Sequence, residues 1–283
     1  MKKIWIIARM TFRENVRKRI VLTGLALGLI FLTVFTIGFR MVYINGLNGV
    51  DRPNEMLSRM IVTEATNMLL LAGLYAVTFL SAAMGALLGA DTLSGEINSG
   101  TIQTIVTKPV RRSDVVLGKW LGFAILLGLY SLLMSGGTVL SIWTQSGYLP
   151  PNVLKGLSLI YLESVLIMTL SLFCSSFMSG LATGGVVFGL YGLAFIGGWV
   201  EQIGVAIQNQ TVVQVGIITS LIIPSESLWR RASFEMQSPV SAALGFSPFS
   251  STSVPSPLML GYAVIYLIII LMAAVSTFQH RDL

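Results

Sequence analysis

Six long apolar segments, separated by more polar ones, are the feature that most constrains how this chain can fold. Each is close to the roughly 20 residues that a helix needs to cross the hydrocarbon core of a bilayer. Lipid offers the backbone no hydrogen-bond partners, so segments of this kind must be helical. The predicted spans are residues 20–39, 65–90, 121–143, 156–178, 181–200 and 257–278. The sequence therefore predicts an all-α integral membrane protein, with one transmembrane domain over residues 1–283.

The composition supports this fold class and sets the orientation. Hydrophobic residues make up 54% of the chain and charged residues only 11%, which is unlike a soluble domain. With the N-terminus in the cytoplasm, 12 of the 18 lysines and arginines fall in cytoplasmic segments. The positive-inside rule then places both termini and residues 91–120 in the cytoplasm. The net charge of +6 follows from this topology, and we expect no nucleic-acid partner.

Residues 1–19 form a basic, amphipathic segment before the first span. The apolar residues Ile4, Trp5, Ala8 and Phe12 share one helical face, and basic residues share a neighbouring one. This pattern predicts a helix in the membrane interface, with its cations near anionic lipid. No convincing cleavage site follows residues 20–39, so we interpret that segment as a retained span rather than a signal peptide.

The sequence shows no constellation of residues typical of catalysis, metal binding or nucleotide binding. The only histidine, His280, lies three residues from the end, so we expect neither a Ser-His-Asp triad nor a histidine-rich metal site. The only cysteine, Cys174, lies in an apolar context and predicts a small buried side chain. No phosphate-binding loop occurs, since Gly118 and Lys119 are followed by Trp120. We therefore predict a chain that is not an enzyme and carries no cofactor of its own, so any energy it uses must come from a partner.

The segment between the second and third spans is a long polar island. Within it, Ile102, Ile105 and Val106 recur at spacings of three and four residues, which predicts a short helix with one apolar face. Gly100 and Pro109 are placed to end or kink the helices on either side. Such a helix can bind a partner or lie on the membrane, although an ordinary connector without a partner would have the same periodicity.

The order of residues in this island resembles the cytoplasmic loop of type-2 ABC transporter permeases. The matching elements are Glu96, Gly100-Thr101-Ile102, Ile105-Val106, Pro109-Val110, Arg112 and Gly118-Lys119. Relatives often carry more charge than this chain does at Ile97-Asn98-Ser99. The six-span layout and the basic N-terminus are also similar to that family. The resemblance implies a coupling helix that docks on an ATPase, with coupling residues Glu96, Gly100, Thr101, Ile102, Ile105, Val106, Pro109 and Arg112.

The same resemblance implies a set of partners. They are two separate ABC ATPase subunits, which would bind ATP and magnesium, and a second permease copy or a similar chain. The family resemblance favours the first and fifth spans for the face between the two permeases. The rival interpretation is a secondary transporter or channel without an ATPase. That class predicts broken or charged helices at mid-membrane and inverted repeats, neither of which is clear in this sequence.

Residues 201–256 form a long segment on the predicted extracellular side. Its first part is too rich in glutamine and asparagine for a confident seventh span, and a re-entrant or surface-lying helix pair fits it best. We expect Pro224 and Trp229-Arg230-Arg231 to lie at the membrane interface. At the start of the third span, Ser113 and Asp114 are candidate helix caps, and Lys119 can extend to lipid headgroups.

Glu163 is an ionisable residue within the predicted fourth span. It is either part of a polar translocation path, or a protonated or snorkelling carboxyl near the outer interface. Both interpretations remain open at the level of sequence.

Three glycine pairs have the G-x-x-x-G spacing that permits close helix contact: Gly24 and Gly28, Gly85 and Gly89, and Gly185 and Gly189. With 28 glycines in the chain, we expect packing within the chain more often than a dimer contact at any one pair.

Overall fold

The computed structural model describes residues 2–48, 55–90, 92, 111–239 and 254–280. Within these ranges the regular secondary structure is helical, which confirms the predicted all-α fold. The helices are α1 (Lys2–Asn15), α2 (Arg19–Asn48), α3 (Glu55–Ala90), α4 (Arg112–Ser146), α5 (Val153–Ser175), α6 (Gly180–Ala206), α7 (Gln210–Ile222), α8 (Ser225–Met236) and α9 (Pro257–Gln279).

Six of these helices are long and apolar enough to cross a membrane: α2, α3, α4, α5, α6 and α9. The predicted number of spans is confirmed. Helices α7 and α8 meet at an angle of 106° across a short break at Ile223 and Pro224. With 13 and 12 residues, each is at most about 20 Å long, so neither crosses a bilayer alone.

Helix α5 lies at the centre of the bundle. It packs against α3, α4, α6, α8 and α9. Its face toward the core carries large apolar residues such as Leu166 and Met168, which pack with Phe123 and Leu127 of α4. Polar residues of α5 are buried as well, including Ser164 and four others: Glu163, Thr169, Ser171 and Ser175. Because lipid is as apolar as leucine, the polar residues of a membrane bundle belong inside it.

The contact between α3 and α5 is unusually close. A Cβ atom on Gly85 would lie 2.8 Å from the carbonyl oxygen of Ser164, and one on Gly89 would lie 2.8 Å from the backbone nitrogen of Leu172. The hydroxyl of Ser171 donates a hydrogen bond of 2.6 Å to the carbonyl oxygen of Ala86. Gly85 and Gly89 therefore allow the backbones of α3 and α5 to approach closely, and the hydrogen bond from Ser171 links the two helices.

Helix α1 packs along the first part of α4. A Cβ atom on Gly118 would lie 2.7 Å from Cβ of Ile7, and one on Gly122 would lie 2.7 Å from the carbonyl oxygen of Ala8. The side chains of Trp5 and Arg9 are exposed. Trp5 therefore does not share the buried face of Ala8, and the position of α1 in the membrane interface stays a prediction.

Two expectations about the start of α4 are wrong. Arg111 is the N-cap and makes no side-chain capping bond, while Ser113 and Asp114 lie inside the first turn. Lys119 is buried rather than extended toward headgroups. Both differences have the same cause. Helix α4 begins at Arg112, about two turns before the predicted third span at residue 121, and α1 covers these additional turns.

Hydrogen bonds fix α8 against the first part of α3 and the residues just after α4. The side chain of Asn67 donates to the hydroxyl of Tyr148 at 2.8 Å and to the carbonyl oxygen of Met236 at 3.1 Å. It also accepts from the backbone nitrogen of Ser238 at 3.2 Å. Helix α8 is thereby held as a packed part of the bundle, with its first residues directed at α3 and α6.

Candidate functional site

A groove with a volume of about 520 Å³ lies between α2, α3 and α6. Alanines 72 and 76, one turn apart on α3, leave room for it. Its remaining lining consists of large apolar and aromatic side chains: Leu27, Phe31, Tyr75, Phe79, Leu80, Tyr191 and Phe195. The groove is suited to an apolar or aromatic part of a ligand.

Aromatic rings form the wall of the groove on its α6 and α8 side. The ring centroid of Tyr75 lies 4.8 Å from that of Trp229 and 6.1 Å from that of Phe195. Phe79 and Tyr191 are also 6.1 Å apart. Such pairs hold one another in place, so the wall is a packed structure rather than a set of independent side chains.

A buried ion pair lies behind this wall. Nη1 and Nη2 of Arg230 lie 2.7 and 2.8 Å from the two carboxylate oxygens of Glu201, and Nη2 also donates to the hydroxyl of Ser220 at 3.2 Å. Arg230 is 2% exposed, which contradicts the expectation that it and Trp229 lie at the membrane interface. The cause is that α8 turns back into the bundle, where Glu201 offers the guanidinium a bidentate partner.

Glu226 lies next to this pair, one turn before Arg230 on α8. It is buried, and the hydroxyl of Tyr75 donates to its two carboxyl oxygens at 3.4 and 3.5 Å. A Cβ atom on Gly198 would lie 3.0 Å from Cδ of Glu226, so glycine at this point of α6 makes room for the carboxyl group. Tyr75 therefore connects the groove to the buried charges.

Glu163 lies fully buried on α5, and neither of its carboxyl oxygens has a hydrogen-bond partner in the described part of the chain. It is within electrostatic range of Glu226, Tyr75 and Tyr191. The interpretation of Glu163 as a side chain that snorkels to the outer interface is wrong, because no part of it reaches the surface.

The predicted ATPase-coupling residues Glu96, Gly100, Thr101, Ile102, Ile105, Val106 and Pro109 lie outside the described residues. Arg112, the last of that set, is the first residue of α4, and its Nη1 donates to the carbonyl oxygen of Gln279 at 3.0 Å. The end of the polar island is thus joined to the end of α9.

Sequence reasoning missed four residues of the charged site: Tyr75, Glu201, Glu226 and Arg230. Tyr75 lies within a predicted span, and the three charged residues lie in the predicted extracellular segment 201–256. A signal was present, since Glu226 and Arg230 have the i, i+4 spacing of neighbours on one helical face. Which helix they face is decided by the 106° bend before α8.

The six long apolar helices fit a multi-pass membrane protein. Residues 5–283 match the model of the ABC-2 family transporter proteins, and the chain belongs to that family. Membership confirms the resemblance to ABC transporter permeases that the sequence indicated.

Two curated relatives, which have the same protein name, are named as permeases. The chain is 28% identical over 142 residues to the probable ABC transporter permease protein NosY of Stutzerimonas stutzeri, covering 50% of this chain and 46% of the relative. It is 37% identical over 65 residues to the protein of the same name from Pseudomonas aeruginosa, covering 23% of this chain and 24% of the relative. The chain thus spans less than half the length of the curated relatives it matches.

Proposed function

We propose that this chain is the permease subunit of an ABC transporter and moves a substrate across the membrane with energy from separate ATPase subunits. The observation that carries the proposal is the groove between α2, α3 and α6, because two of the helices that line it, α2 and α6, are only slightly buried within this chain. Family membership supports the need for ATPase partners in general terms. Two ATPase subunits, binding ATP and magnesium, would serve one pair of permeases.

A second permease copy, or a similar chain, would close the groove. Only 11% of the most apolar part of α2 and 28% of that of α6 are buried within this chain. These helices are the first and fifth spans, and both line the groove. A partner on this face would convert an open groove into an enclosed path between two chains. The apolar and aromatic lining favours a substrate with an apolar part.

The polar island would transmit the energy of ATP hydrolysis from the ATPase subunits to the permease. We place the island and both termini in the cytoplasm, from the distribution of lysine and arginine. Ile102, Ile105 and Val106 would dock in a groove of the ATPase, and nucleotide-driven closure would push on the island. The hydrogen bond from Arg112 to Gln279 supports this assignment, because it gives the island a direct connection to the last span.

The test replaces Ile102 and Ile105 together by Asp. An unpaired charge in a docking groove costs several kcal/mol, and about 3 kcal/mol corresponds to a roughly 100-fold loss of affinity. We expect the co-expressed ATPase no longer to co-purify, and ATP-dependent transport in proteoliposomes to be lost. Full ATPase binding and transport by this variant would contradict the coupling role.

The matched control carries the same two charges on the other side of the membrane, as Gln208→Asp with Asn209→Asp. Both residues are exposed between α6 and α7, and aspartate can keep the helix cap that Asn209 makes on α7. We expect the control to retain the ATPase and transport. Transport that proceeds without any ATPase would instead favour a secondary transporter.

A further inference from the structure

Three glutamates and one arginine are buried together behind the aromatic groove. They come from three helices: Glu163 from α5, Glu201 from α6, and Glu226 and Arg230 from α8. Arg230 is bound by Glu201 through both of its terminal nitrogens. Arg230 also lies within electrostatic range of Glu226, but its direct contacts are with Glu201 and Ser220. Among the described residues, no cation is therefore in direct contact with Glu163 or Glu226.

No other described cation can fill that role. Arg231, the next residue along α8, pairs with Glu235 at 2.7 Å, and Lys155 lies 3.8 Å from the same carboxylate. Helix α9 has no charged residue between Pro257 and Gln279. The charged residues of α4 are confined to its first eight positions, on the far side of the hydrogen bond between Trp120 and Thr169.

The ionisable groups within electrostatic range of Glu163 are acidic or phenolic. They are Tyr75 from α3, Tyr191 from α6 and Glu226 from α8. Glu226 in turn faces Arg230 and Glu201, and it accepts from Tyr75. If both carboxyls were ionised, two negative charges would face each other in a membrane protein interior, and each buried ion costs several kcal/mol. A buried carboxyl without a counter-ion is neutral at a much lower cost.

A metal ion is a poor alternative. The described residues contain no group of three or more histidine, cysteine, aspartate or glutamate side chains that could hold one. The neutralising species must be smaller and need fewer ligands, and a proton meets both conditions.

We propose that Glu163 and Glu226 form a proton-binding site that holds at least one proton at neutral pH, with Tyr75 between this site and the groove. Binding or release of that proton changes the charge behind the groove wall by one unit. Tyr75 and Tyr191 both line the groove, and both lie within electrostatic range of Glu163. The site would therefore make the groove sensitive to pH, whatever substrate the protein carries.

Infrared spectroscopy of the full-length protein in lipid nanodiscs tests this site directly, because a protonated carboxyl has a C=O stretch that a carboxylate lacks. We expect the wild-type protein at pH 7 to show this band with the intensity of at least one group per chain. The variants Glu163→Gln and Glu226→Gln should each reduce the band or abolish it, since glutamine is close in shape to a neutral glutamic acid.

The control is Glu14→Gln, which removes an exposed carboxylate that pairs with Lys18 at 3.0 Å. It should leave the band unchanged. The absence of the band from the wild-type protein would overturn the proposal, and so would a band that persists at full intensity in both buried-site variants.

A second measurement does not depend on the spectroscopic assignment. An exposed glutamate loses its proton near pH 4.3, so a proton kept in the folded site is bound more by the folded chain than by the unfolded one. The wild-type protein should then lose thermal stability as the pH rises from about 5 to 8, relative to Glu163→Gln. If Glu163→Gln does not fold, Glu226→Gln serves as the reference. A wild-type protein that gains stability over this range relative to the variant would also overturn the proposal.

Discussion

Two glycine pairs of identical spacing have opposite environments in this protein. Gly85 and Gly89 of α3 lie against the backbone of α5, where added Cβ atoms would meet Ser164 and Leu172 at 2.8 Å. Among the described residues, no atom of another element lies within 4 Å of where a Cβ would stand on Gly185 or Gly189 of α6. The G-x-x-x-G spacing permits close approach in both places, but only the first pair is used within the chain.

The helices that surround the two glycine pairs also differ in how much of their surface is buried within the chain. In the most apolar part of α5, 67% of the residues are buried, against 28% in α6 and 11% in α2. Helix α5 carries Glu163, serines and threonines into this packed interior. A glycine pair acquires its role from the helix that lies against it, because the same spacing is used only where another backbone approaches.

The largest expected effect is that of Gly89→Leu. The new side chain would collide with the backbone nitrogen of Leu172, which cannot move without separating α3 from α5. We expect a loss of about 3 kcal/mol or more of stability, the upper end of what overpacking costs. Thermal unfolding of the purified protein should show a large drop in Tm. A Tm near that of the wild type would mean that the α3–α5 contact is not the centre of the fold.

A smaller effect is expected for Ser171→Ala. This substitution keeps the close contact of α3 and α5 but removes the hydrogen bond to the carbonyl oxygen of Ala86. Interhelical hydrogen bonds in membrane proteins contribute about 0.6 kcal/mol on average. We expect a Tm decrease well below that of Gly89→Leu, measured under the same conditions. Equal effects of the two variants would show that the hydrogen bond, rather than close backbone approach, stabilises this contact.

The smallest effect on stability is expected for Gly185→Leu. The space at this position is open within the chain, so stability should change by no more than about 0.5 kcal/mol. If α6 forms the face between two permease copies, as we propose, the same substitution should lower the dimer fraction in detergent or nanodiscs. Gly261→Leu on α9 is the matched control, because that position is equally open but lies away from the proposed face. A dimer fraction unaffected by Gly185→Leu would place the contact elsewhere.

Much of the fold was predictable because its physical cause is local. The six spans follow from apolar segment length, and the glutamine- and asparagine-rich composition of residues 203–223 argues against a regular seventh span. Helix α7 lies in that region, and α8 follows it after the bend. The predicted coupling residues from Glu96 to Pro109 lie outside the described residues and stay predictions, as do the orientation of the termini and the interfacial position of α1.

The candidate site was less predictable because its parts are far apart in sequence. Glu163 was noticed because an isolated charge in an apolar segment is costly wherever it points. Glu201, Glu226 and Arg230 were not recognised as buried, since charges near the ends of apolar segments usually face water. Tyr75 carried no signal at all, because tyrosine is common in membrane helices for reasons unrelated to any site.

The sequence by itself determined the class of protein and the number of long apolar segments, since each depends on composition and on patterns within a few turns of helix. Only the tertiary structure decided which glycines are in contact and which charges are buried. The same spacing produced a tight contact at Gly89 and an open face at Gly189. The same kind of charged residue is exposed at Arg9 and buried at Arg230. These outcomes depend on which helix lies opposite, and that is set by the packing of the whole bundle around α5.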